Sequence, residues 1–331
     1  MTITAEKLSR SFGELEAVKG IDLHVERGET FGFLGPNGAG KSTTIKMLCT
    51  LLHPTSGRAL INGYDIEREA SKVRRSIGIV FQDPTLDEYL SAEQNLYYHS
   101  MIYHTPSKTR STRIQDVLEL VGLEDRRKDI VKTFSGGMKR RLEVARGLIH
   151  EPQTLFLDEP TVGLDPQTRR SVWDHVMKLR ESTGLTIFMT THYMEEAEYC
   201  DRIAIIDHGN IVALDTPSAL KRLVGQDIVS LTPSDPVGAV TVIEQWLNRP
   251  DAAVRREGDT VTVEGENGQT LAASLIRQLT LADIEVRGVN VTAPTLEDVF
   301  VYLTGRAIRD ESASAKDRLG ARLRSRGRLR R

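Results

Sequence analysis

The sequence predicts an α/β fold in which a core of buried strands carries an antiparallel β subdomain and a helical insert. A small α+β domain of the ferredoxin-like kind follows. Three observations support this prediction. A short apolar segment leads into a glycine-rich loop and then a helical pattern near residue 40. Later apolar segments end in polar or acidic side chains. The region from residue 224 to 303 follows the order β-α-β-β-α-β.

The composition is that of a globular protein: 331 residues, 39% hydrophobic and 27% charged. No stretch approaches the roughly 18 apolar residues that a membrane-spanning helix needs, and the N-terminal segment has no apolar signal core. We therefore expect a cytosolic or peripheral protein. Residues 306–331 hold ten Lys/Arg and three Asp/Glu, whereas the remainder carries 34 basic and 43 acidic residues. An acidic body argues against a general nucleic-acid surface, so no nucleic acid is expected as a partner.

The glycine-rich segment fits the phosphate-loop pattern G-x-x-x-x-G-K-[ST]. It consists of Gly35, Pro36, Asn37, Gly38, Ala39, Gly40, Lys41, Ser42 and Thr43. A predicted buried strand, 30–34, precedes it and a predicted helix, 42–52, overlaps its end. Glycines let successive backbone N–H groups face phosphate oxygens, and the helix dipole adds positive potential. Lys41 is suited to the β- and γ-phosphates and Ser42 to Mg²⁺. A plain glycine-rich turn is disfavoured because the motif is complete.

The antiparallel subdomain is predicted from alternating apolar and polar residues in runs 1–8 and 17–26. Residues 56–66 predict a further strand that ends in an Asn-Gly turn. Phe12 is expected in the turn between the first two runs, where an exposed ring can stack on adenine. Its spacing is equally consistent with a hydrophobic plug.

Two segments predict the helical insert, at about residues 83–150. Ser91 and Gln94 form a capping box at the start of one helix. A second amphipathic helix ends near Gly122. Between these helices and the next strand, residues 135–137 open a third helix with glycine-exposed N–H groups.

That third helix start predicts a second anion site, formed by Ser135, Gly136 and Gly137. Two phosphate-facing helix ends in one chain are unusual. We therefore expect the second to serve the nucleotide of another copy of the chain.

Polar residues end three predicted core strands, where open α/β sheets bind ligands. Gln82 follows strand 76–81 and is a candidate contact for Mg²⁺ or the attacking water, although a lone Gln is more often structural. Asp158 and Glu159 end the apolar run 154–157 and suit the Mg²⁺ shell and a general base, respectively. His192 follows strand 185–191 and is placed to hydrogen-bond the γ-phosphate, although a lone His is usually structural.

In chain order, these features closely resemble the ATP-binding subunit of ABC transporters over about residues 2–222. The resemblance is specific because Ser-Gly-Gly ahead of the acidic strand is that family's own signature. The runs 138–141, 190–197 and 295–300 look like the daunorubicin/doxorubicin-resistance type of bacterial exporter ATPase. The implied fold is a phosphate-loop ATPase core with the additions described above.

The resemblance implies a role for each matching position. Phe12 would stack on adenine, and residues 35–43 would bind phosphate and Mg²⁺. Asp158, Ser42 and Gln82 would serve the metal, with Gln82 also coupling nucleotide to the membrane partner. Catalytic roles fall to Glu159, His192 and Gln82. Ser135, Gly136 and Gly137 would close on the opposite subunit's γ-phosphate, and Asp165 would lie at the dimer seam. Two departures are Phe12, where Tyr is commoner, and Met138, where many members have Gln.

The predicted domains are an ATP-binding domain at 1–223, an accessory domain at 224–305 and a basic, disordered tail at 306–331. One expectation is that the accessory domain stabilises a dimer, has a regulatory role or contacts a partner. The alternative is that it is a packing appendage with no separate role. The tail is either solvated or attracted to anionic lipid.

The implied function is an ATP-hydrolysing subunit that powers an exporter, with drug or antibiotic efflux expected. The implied cofactors are ATP and Mg²⁺. The implied partners are a second copy of the chain and a separately encoded integral membrane permease, at the cytoplasmic face of the cell membrane. A soluble ATPase of the same superfamily acting on ribosomes or nucleic acid stays open, as does an exporter of lipid or polysaccharide. A phosphate-loop kinase is disfavoured because it has no use for the Ser-Gly-Gly element.

Overall fold

The computed structural model describes residues 1–247 and 254–305. These residues divide into two compact units, the first comprising Met1–Pro217 and the second beginning at Ser218. The division thus falls six residues before the boundary predicted at 223. The predicted basic tail, 306–331, lies outside the described residues, as do the first two residues of the strand predicted at 252–256.

The first unit contains ten strands and seven helices in the part of the chain that the structure describes. The strands are β1 (Ile3–Phe12), β2 (Leu15–Val25), β3 (Thr30–Leu34), β4 (Ser56–Ile61), β5 (Tyr64–Asp65), β6 (Ile77–Val80), β7 (Thr154–Asp158), β8 (Thr186–Thr191), β9 (Arg202–Asp207) and β10 (Asn210–Asp215). The helices are α1 (Lys41–Leu48), α2 (Ala70–Ser76), α3 (Ala92–Ile102), α4 (Ser107–Leu120), α5 (Gly136–Leu148), α6 (Pro166–Thr183) and α7 (Met194–Ala197). Short 3-10 turns at Glu124–Arg126 and Val131–Thr133 lie between α4 and α5.

The central sheet has six strands in the order β10-β9-β3-β8-β7-β6. All neighbours in it are parallel except β10, which pairs antiparallel with β9. Strands β3, β7 and β8 are buried along their whole length, which explains their apolar central residues. The Phe188 ring lies between 5.4 and 5.8 Å from three other phenylalanine rings of this sheet. Because the parallel strands share one direction, their carboxyl ends meet at a single edge of the sheet.

A second, antiparallel sheet has the order β2-β1-β4-β5. Phe12 is the last residue of β1 and pairs with Leu15 of β2. The prediction that placed Phe12 within the turn is therefore wrong by one residue. The Asn-Gly turn predicted within 56–66 is confirmed: Asn62 and Gly63 both adopt positive φ and reverse the chain between β4 and the two-residue strand β5.

The helical insert packs its third helix closely against the central sheet. The predicted capping box of α3 is confirmed, with Ser91 and Gln94 each accepting the other's backbone N–H. Helix α4 has Val121 as its C-cap, and the predicted Gly122 follows at φ 63°. Gly78 of β6 approaches Gly147 of α5 so closely that a Cβ on Gly78 would collide with the Gly147 carbonyl oxygen.

The second unit is a four-stranded antiparallel sheet with helices packed on it. Its elements are α8 (Pro217–Arg222), β11 (Asp227–Pro233), α9 (Pro236–Leu247), β12 (Val254–Glu257), β13 (Thr260–Gly265), α10 (Gly268–Leu281), β14 (Val286–Thr292) and α11 (Leu296–Thr304). The sheet order is β12-β13-β11-β14. Residues from β11, β13, α9 and α10 form its apolar core. From β11 to β14 the elements follow one another as β-α-β-β-α-β.

None of the helices within residues 1–247 and 254–305 combines the length and the apolar character that crossing a bilayer requires.

Candidate active site

A cleft of about 970 Å³ lies at the carboxyl edge of the central sheet, within the first unit. It is lined by Phe12, Leu15, Ala17, Asn37, Gly38, Gly40, Lys41, Ser42, Thr43, Gln82, Glu159, Val162, Gly163, Leu164, Asp165, His192 and Tyr193. Residues far apart in the chain meet here because β3, β6, β7 and β8 all end at this edge. The cleft therefore unites most of the residues singled out in the sequence.

The predicted phosphate loop joins β3 to α1. Gly38 and Gly40 adopt positive φ, at 80° and 108°, and a Cβ on Gly40 would lie 2.6 Å from the Ala17 carbonyl oxygen. Glycine is thus required at position 40 both by conformation and by space. Helix α1 starts at Lys41 and ends at Leu48, earlier than the predicted residue 52, because Thr50 turns left-handed at φ 62°.

Lys41 is the central cation of the cleft and is almost fully buried. Its Nζ donates to the carbonyl oxygens of Gly35, at 2.8 Å, and Pro36, at 3.1 Å. These contacts curl the loop around the ammonium group, although Gly35, Pro36 and Ala39 themselves do not line the cleft. Nζ also lies 3.0 Å from Glu159 Oε1. Burial lowers the pKa of Lys41, and the charge of Glu159 opposes that change.

Glu159 is a buried carboxylate held between two basic groups. His192 Nδ1 lies 3.4 Å from Oε2, on the side of the carboxylate opposite Lys41. Burial alone would raise the pKa of Glu159, but the hydrogen bond from His192 and the charge of Lys41 outweigh it and lower the pKa to about 2. Its φ of 45° is unusual for a residue other than glycine, and strain of this kind concentrates at functional sites. The carboxylate is therefore ionised and fixed at neutral pH.

Asp158 ends β7 one residue earlier and points its carboxylate at two hydroxyl groups. Oδ1 accepts hydrogen bonds from Ser42, at 3.1 Å, and from Thr190, at 2.6 Å. A hydroxyl and a carboxylate at this separation are the hard oxygen donors that Mg²⁺ prefers, and the amide of Gln82 opens onto the same cleft. The described residues contain no group of three or more His, Cys, Asp or Glu side chains arranged to hold a metal ion. The oxygen donors of Ser42, Asp158 and Gln82 fit a metal that is bound partly by a ligand's own oxygens.

Phe12 lies at the far end of the cleft, with 46% of its side chain exposed. The guanidinium of Arg10 covers one face of the ring at 4.7 Å from its centroid. Asp165 also lines the cleft, and its side chain caps α6 by accepting from the Thr168 N–H at 3.0 Å. The hydrogen bond from the Thr168 hydroxyl, followed by that cap, lowers the pKa of Asp165.

Ser135, Gly136 and Gly137 do not line this cleft. Ser135 caps α5 by accepting from the Met138 N–H at 3.3 Å. A Cβ on Gly136 would lie 3.0 Å from Leu164, and one on Gly137 would collide with Thr168. The glycines therefore allow the start of α5 to pack against the segment that leads into α6.

Sequence reasoning missed a set of buried partners behind the cleft. Thr190 fixes Asp158, and Glu196 accepts hydrogen bonds from the hydroxyls of Thr161 and Thr191. Arg140 donates to backbone carbonyls at the ends of β6 and β7. The only signal in the sequence was the presence of charged residues within otherwise apolar helical patterns, and such residues usually lie on solvated faces.

Comparison with known proteins agrees with this geometry. The family model described as ABC transporter matches residues 18–162. Over 311 residues the chain is 41% identical to the linearmycin resistance ATP-binding protein LnrL of Bacillus subtilis (strain 168), covering 93% of this chain and 100% of that protein. It is 38% identical over 315 residues to the daunorubicin resistance ATP-binding protein DrrA3 of Streptomyces coeruleorubidus, covering 94% and 98%, respectively.

Solved structures are similar over about two thirds of this chain. The structure of cbiO1 from Clostridium perfringens, part of the ABC transporter complex cbiONQ, aligns with a TM-score of 0.63 and 31% identity, covering 67% of this chain and 92% of that one. The ATP-binding cassette MJ0796, in a dimeric post-hydrolysis state bound to ADP and Pi, aligns with a TM-score of 0.58 and 27% identity, covering 65% and 98%.

The fold and the cleft define a phosphate-loop nucleotide-binding protein. The chain belongs to the ATP-binding proteins of the ABC transporter family. It is accordingly a nucleotide-binding ATPase.

Proposed function

We propose that the chain binds ATP with Mg²⁺ in the cleft and hydrolyses it to power an exporter whose membrane subunit is a separate protein. The observation that best supports this proposal is the buried pair of Lys41, on the phosphate loop, and Glu159, after β7, whose Nζ and Oε1 atoms lie 3.0 Å apart. A cation that can bind phosphate thus lies beside an ionised carboxylate that can accept a proton from water.

The protein's own groups supply binding and proton transfer. Loop N–H groups and Lys41 hold the phosphates, and the exposed face of the Phe12 ring stacks on the base. Glu159 accepts the proton of the water that attacks the γ-phosphorus, and His192 keeps that carboxylate oriented and contacts the γ-phosphate. The low pKa of Glu159 fits this role once Lys41 turns from the carboxylate to the phosphates, because losing that cation makes the carboxylate a stronger base.

Ser42, Asp158 and Gln82 are the residues that would hold Mg²⁺. The metal would neutralise charge on the β- and γ-phosphate oxygens. Thr190 keeps the Asp158 carboxylate in place through its 2.6 Å hydrogen bond.

The complete site is proposed to need two copies of the chain. Ser135, Gly136 and Gly137 lie outside the cleft of their own chain, at the start of α5, where N–H groups and the helix dipole favour an anion. Ser135 and Gly136 are exposed there. We place them on the γ-phosphate bound by the opposite copy, with Asp165 at the seam between copies. A solved relative of this fold, MJ0796, is dimeric with ADP and Pi bound.

A membrane subunit is the proposed partner, contacting the helical insert at the cytoplasmic face of the membrane. Helix α3 buries one face but leaves four large side chains between 42% and 70% exposed on the other. They are Tyr97, Tyr98, Met101 and Ile102. An apolar patch of this kind on a helix is typical of a protein contact. Purification of the chain from mildly solubilised membranes tests this, since a multi-spanning protein should accompany it.

The proposed cargo is a drug or antibiotic. The names of the similar proteins from Bacillus subtilis and Streptomyces coeruleorubidus refer to resistance to linearmycin and daunorubicin. Both similarities cover more than nine tenths of this chain, so they include residues of the second unit as well as those of the first. The test is whether the chain and its membrane subunit together lower cellular accumulation of such compounds.

Residues 224–305 are proposed to form an accessory domain that stabilises the dimer, regulates it or contacts the partner, and the tail 306–331 to be a separate basic segment. The sheet β12-β13-β11-β14 has an apolar core of its own, which supports an independently folding domain.

The proposed catalytic role is tested with Glu159→Gln. We expect ATP turnover to fall at least about 100-fold, because the amide cannot accept the proton. We also expect a dimer stabilised by ATP–Mg²⁺, because the amide has the shape of the carboxylate and the bound ATP is not consumed. Turnover is measured by phosphate release and dimerisation by light scattering. Glu181→Gln, at an exposed position of α6, is the matched control and should behave as the unsubstituted protein. A Glu159→Gln protein that stays monomeric with ATP–Mg²⁺ contradicts the composite site.

A further inference from the structure

Arg140 is a buried guanidinium in the second turn of α5 that has no part in the mechanism above. Its N–H groups face five acceptors, namely the carbonyl oxygens of Phe81, Asp158, Glu159 and Pro160 and the carboxylate of Glu143. The distance from Nη1 is 2.6 Å to the Phe81 oxygen and 2.7 Å to Glu143 Oε2. Nη2 lies 3.4 Å from each of the Asp158 and Glu159 oxygens. One side chain of α5 thus reaches the ends of both β6 and β7.

Glu143, one turn further along α5, extends the network to the far side of Gln82. Its Oε1 accepts from the Thr85 N–H at 2.8 Å. Arg146, on the next turn, donates to the Thr85 carbonyl oxygen at 2.5 Å. The segment that carries Gln82 is therefore bound to α5 at Phe81 on one side and at Thr85 on the other.

The geometry requires arginine at position 140. A guanidinium presents five N–H donors in a rigid plane, whereas an ammonium group is a single point with three donors. The side chains of Arg140 and Glu143 are only 6% and 2% exposed. Charges this deeply buried need paired and hydrogen-bonded partners, so loss of the fork leaves backbone carbonyls unsatisfied at both strand ends.

We propose that Arg140 and Glu143 are positioning residues that make α5 move together with the strand ends carrying Gln82 and Glu159. This inference rests on the proposed function. Nucleotide in one cleft engages Gln82 and Glu159, and the Arg140 fork transmits their position to α5. The start of α5 carries Ser135, which faces the nucleotide of the other copy. The two ATP sites of a dimer are thereby coupled.

The test compares Arg140→Lys and the double variant Arg140→Met/Glu143→Leu with the unsubstituted full-length protein. The double variant removes both charges and so leaves neither one buried alone. The matched control is Arg202→Lys, because Arg202 forms a comparable forked contact with Glu29, at 2.6 and 3.0 Å, away from the cleft. ADP affinity, the kcat of ATP hydrolysis and the dependence of turnover on ATP concentration are measured for each, with thermal denaturation as a check of folding.

We expect both Arg140 variants to keep the Kd for ADP within about threefold while kcat falls at least about tenfold. The Hill coefficient for ATP should fall to about 1 from a value approaching the two sites of a dimer. A merely structural role would not separate kcat from ADP affinity. Arg202→Lys should retain both kcat and cooperativity.

Four results would overturn the inference. Both Arg140 variants could keep the kcat and cooperativity of the unsubstituted protein, which would leave the proposed function intact. ADP affinity could fall in step with kcat, or Arg202→Lys could lose cooperativity to the same extent, either of which indicates general distortion. If the unsubstituted protein has no ATP turnover with Mg²⁺, the proposed function fails and this inference fails with it.

Discussion

At the scale of single residues, the cleft is governed by one buried carboxylate with a basic group on each side. Glu159 lies between Lys41 and His192 and adopts a strained backbone conformation. An unpaired charge at this depth would be strongly unfavourable, so the three side chains are mutually dependent. The same arrangement that keeps Glu159 ionised also fixes its direction, as a general base requires.

The low pKa of Glu159 makes part of the protein's stability depend on pH. Its pKa in the folded protein, about 2, lies below the ordinary value of 4.5. The carboxylate therefore contributes stability fully above about pH 5, and this contribution is lost as the pH falls towards 2. We expect the difference in unfolding free energy between the unsubstituted protein and Glu159→Gln to shrink over this window, by at most about 3 kcal/mol. Urea titrations between pH 5 and pH 2.5 measure it, and a difference that is flat with pH would contradict the pairing.

At the scale of elements, α5 joins three parts of the ATPase core. Its start packs against the segment leading into α6, its middle holds the strand ends through Arg140, and Gly147 touches β6. Its first residues are also the proposed contact with the other copy's nucleotide. The structural and functional roles of Ser135 can be separated by experiment. The helix cap requires only a side-chain oxygen that accepts a hydrogen bond, whereas the proposed phosphate contact also requires a short side chain.

Ser135→Asn separates capping from phosphate contact. Asn is about as good an N-cap as Ser, so we expect the unfolding free energy to change by less than about 0.5 kcal/mol. The longer side chain should obstruct the opposite nucleotide, so ATP-driven dimerisation and turnover should fall at least about tenfold. Ser91→Asn, at the cap of α3, is the control and should change neither. Equal activity of the Ser135 and Ser91 variants would show that Ser135 serves only as a cap.

Gly78→Ala tests the close approach of β6 and α5. The new Cβ would collide with the Gly147 carbonyl oxygen and lie 3.0 Å from Leu155 Cδ1. Backbone cannot move aside as a flexible side chain can, so we expect destabilisation of about 3 kcal/mol. Gly225→Ala is the control because nothing lies within 4 Å of its added Cβ. Thermal or urea denaturation measures both, and a Gly78→Ala protein as stable as the control would contradict the packing.

At the scale of the whole molecule, the described residues that line the cleft all lie within one of the two units, Met1–Pro217. The described residues of the second unit form an apolar core of their own. Binding of nucleotide by one chain should therefore be independent of the second unit.

Deletion of residues 218–331 tests this division. We expect the Kd for ADP to stay within about threefold of the full chain, because the described residues that line the cleft all lie in the first unit. The substitution Lys41→Ala in the shortened protein should abolish ADP binding, which controls for nonspecific binding. The proposed accessory role predicts that dimerisation, regulation or transport is impaired. If hydrolysis, dimerisation and transport all survive the deletion, residues 224–305 are a packing appendage.

The sequence alone determined the fold class, the family and the residues at the strand ends. Those conclusions follow from local patterns: a glycine loop between strand and helix, and acids placed directly after an apolar run. Predicted boundaries were less accurate. Helix α1 was predicted to reach residue 52 but stops at Leu48, because a single residue in a left-handed conformation, Thr50, decides where it ends.

Only the tertiary structure decided which side chains meet. Lys41 and Glu159 are far apart in the chain, and their 3.0 Å contact depends on two parallel strands ending at one sheet edge. The roles of Thr190, Glu196 and Arg140 could not be predicted from the sequence, because a buried polar residue is recognised by its partners and not by its type. Sequence patterns record what each segment prefers, whereas hydrogen bonds and pKa shifts depend on distances that only the folded chain sets.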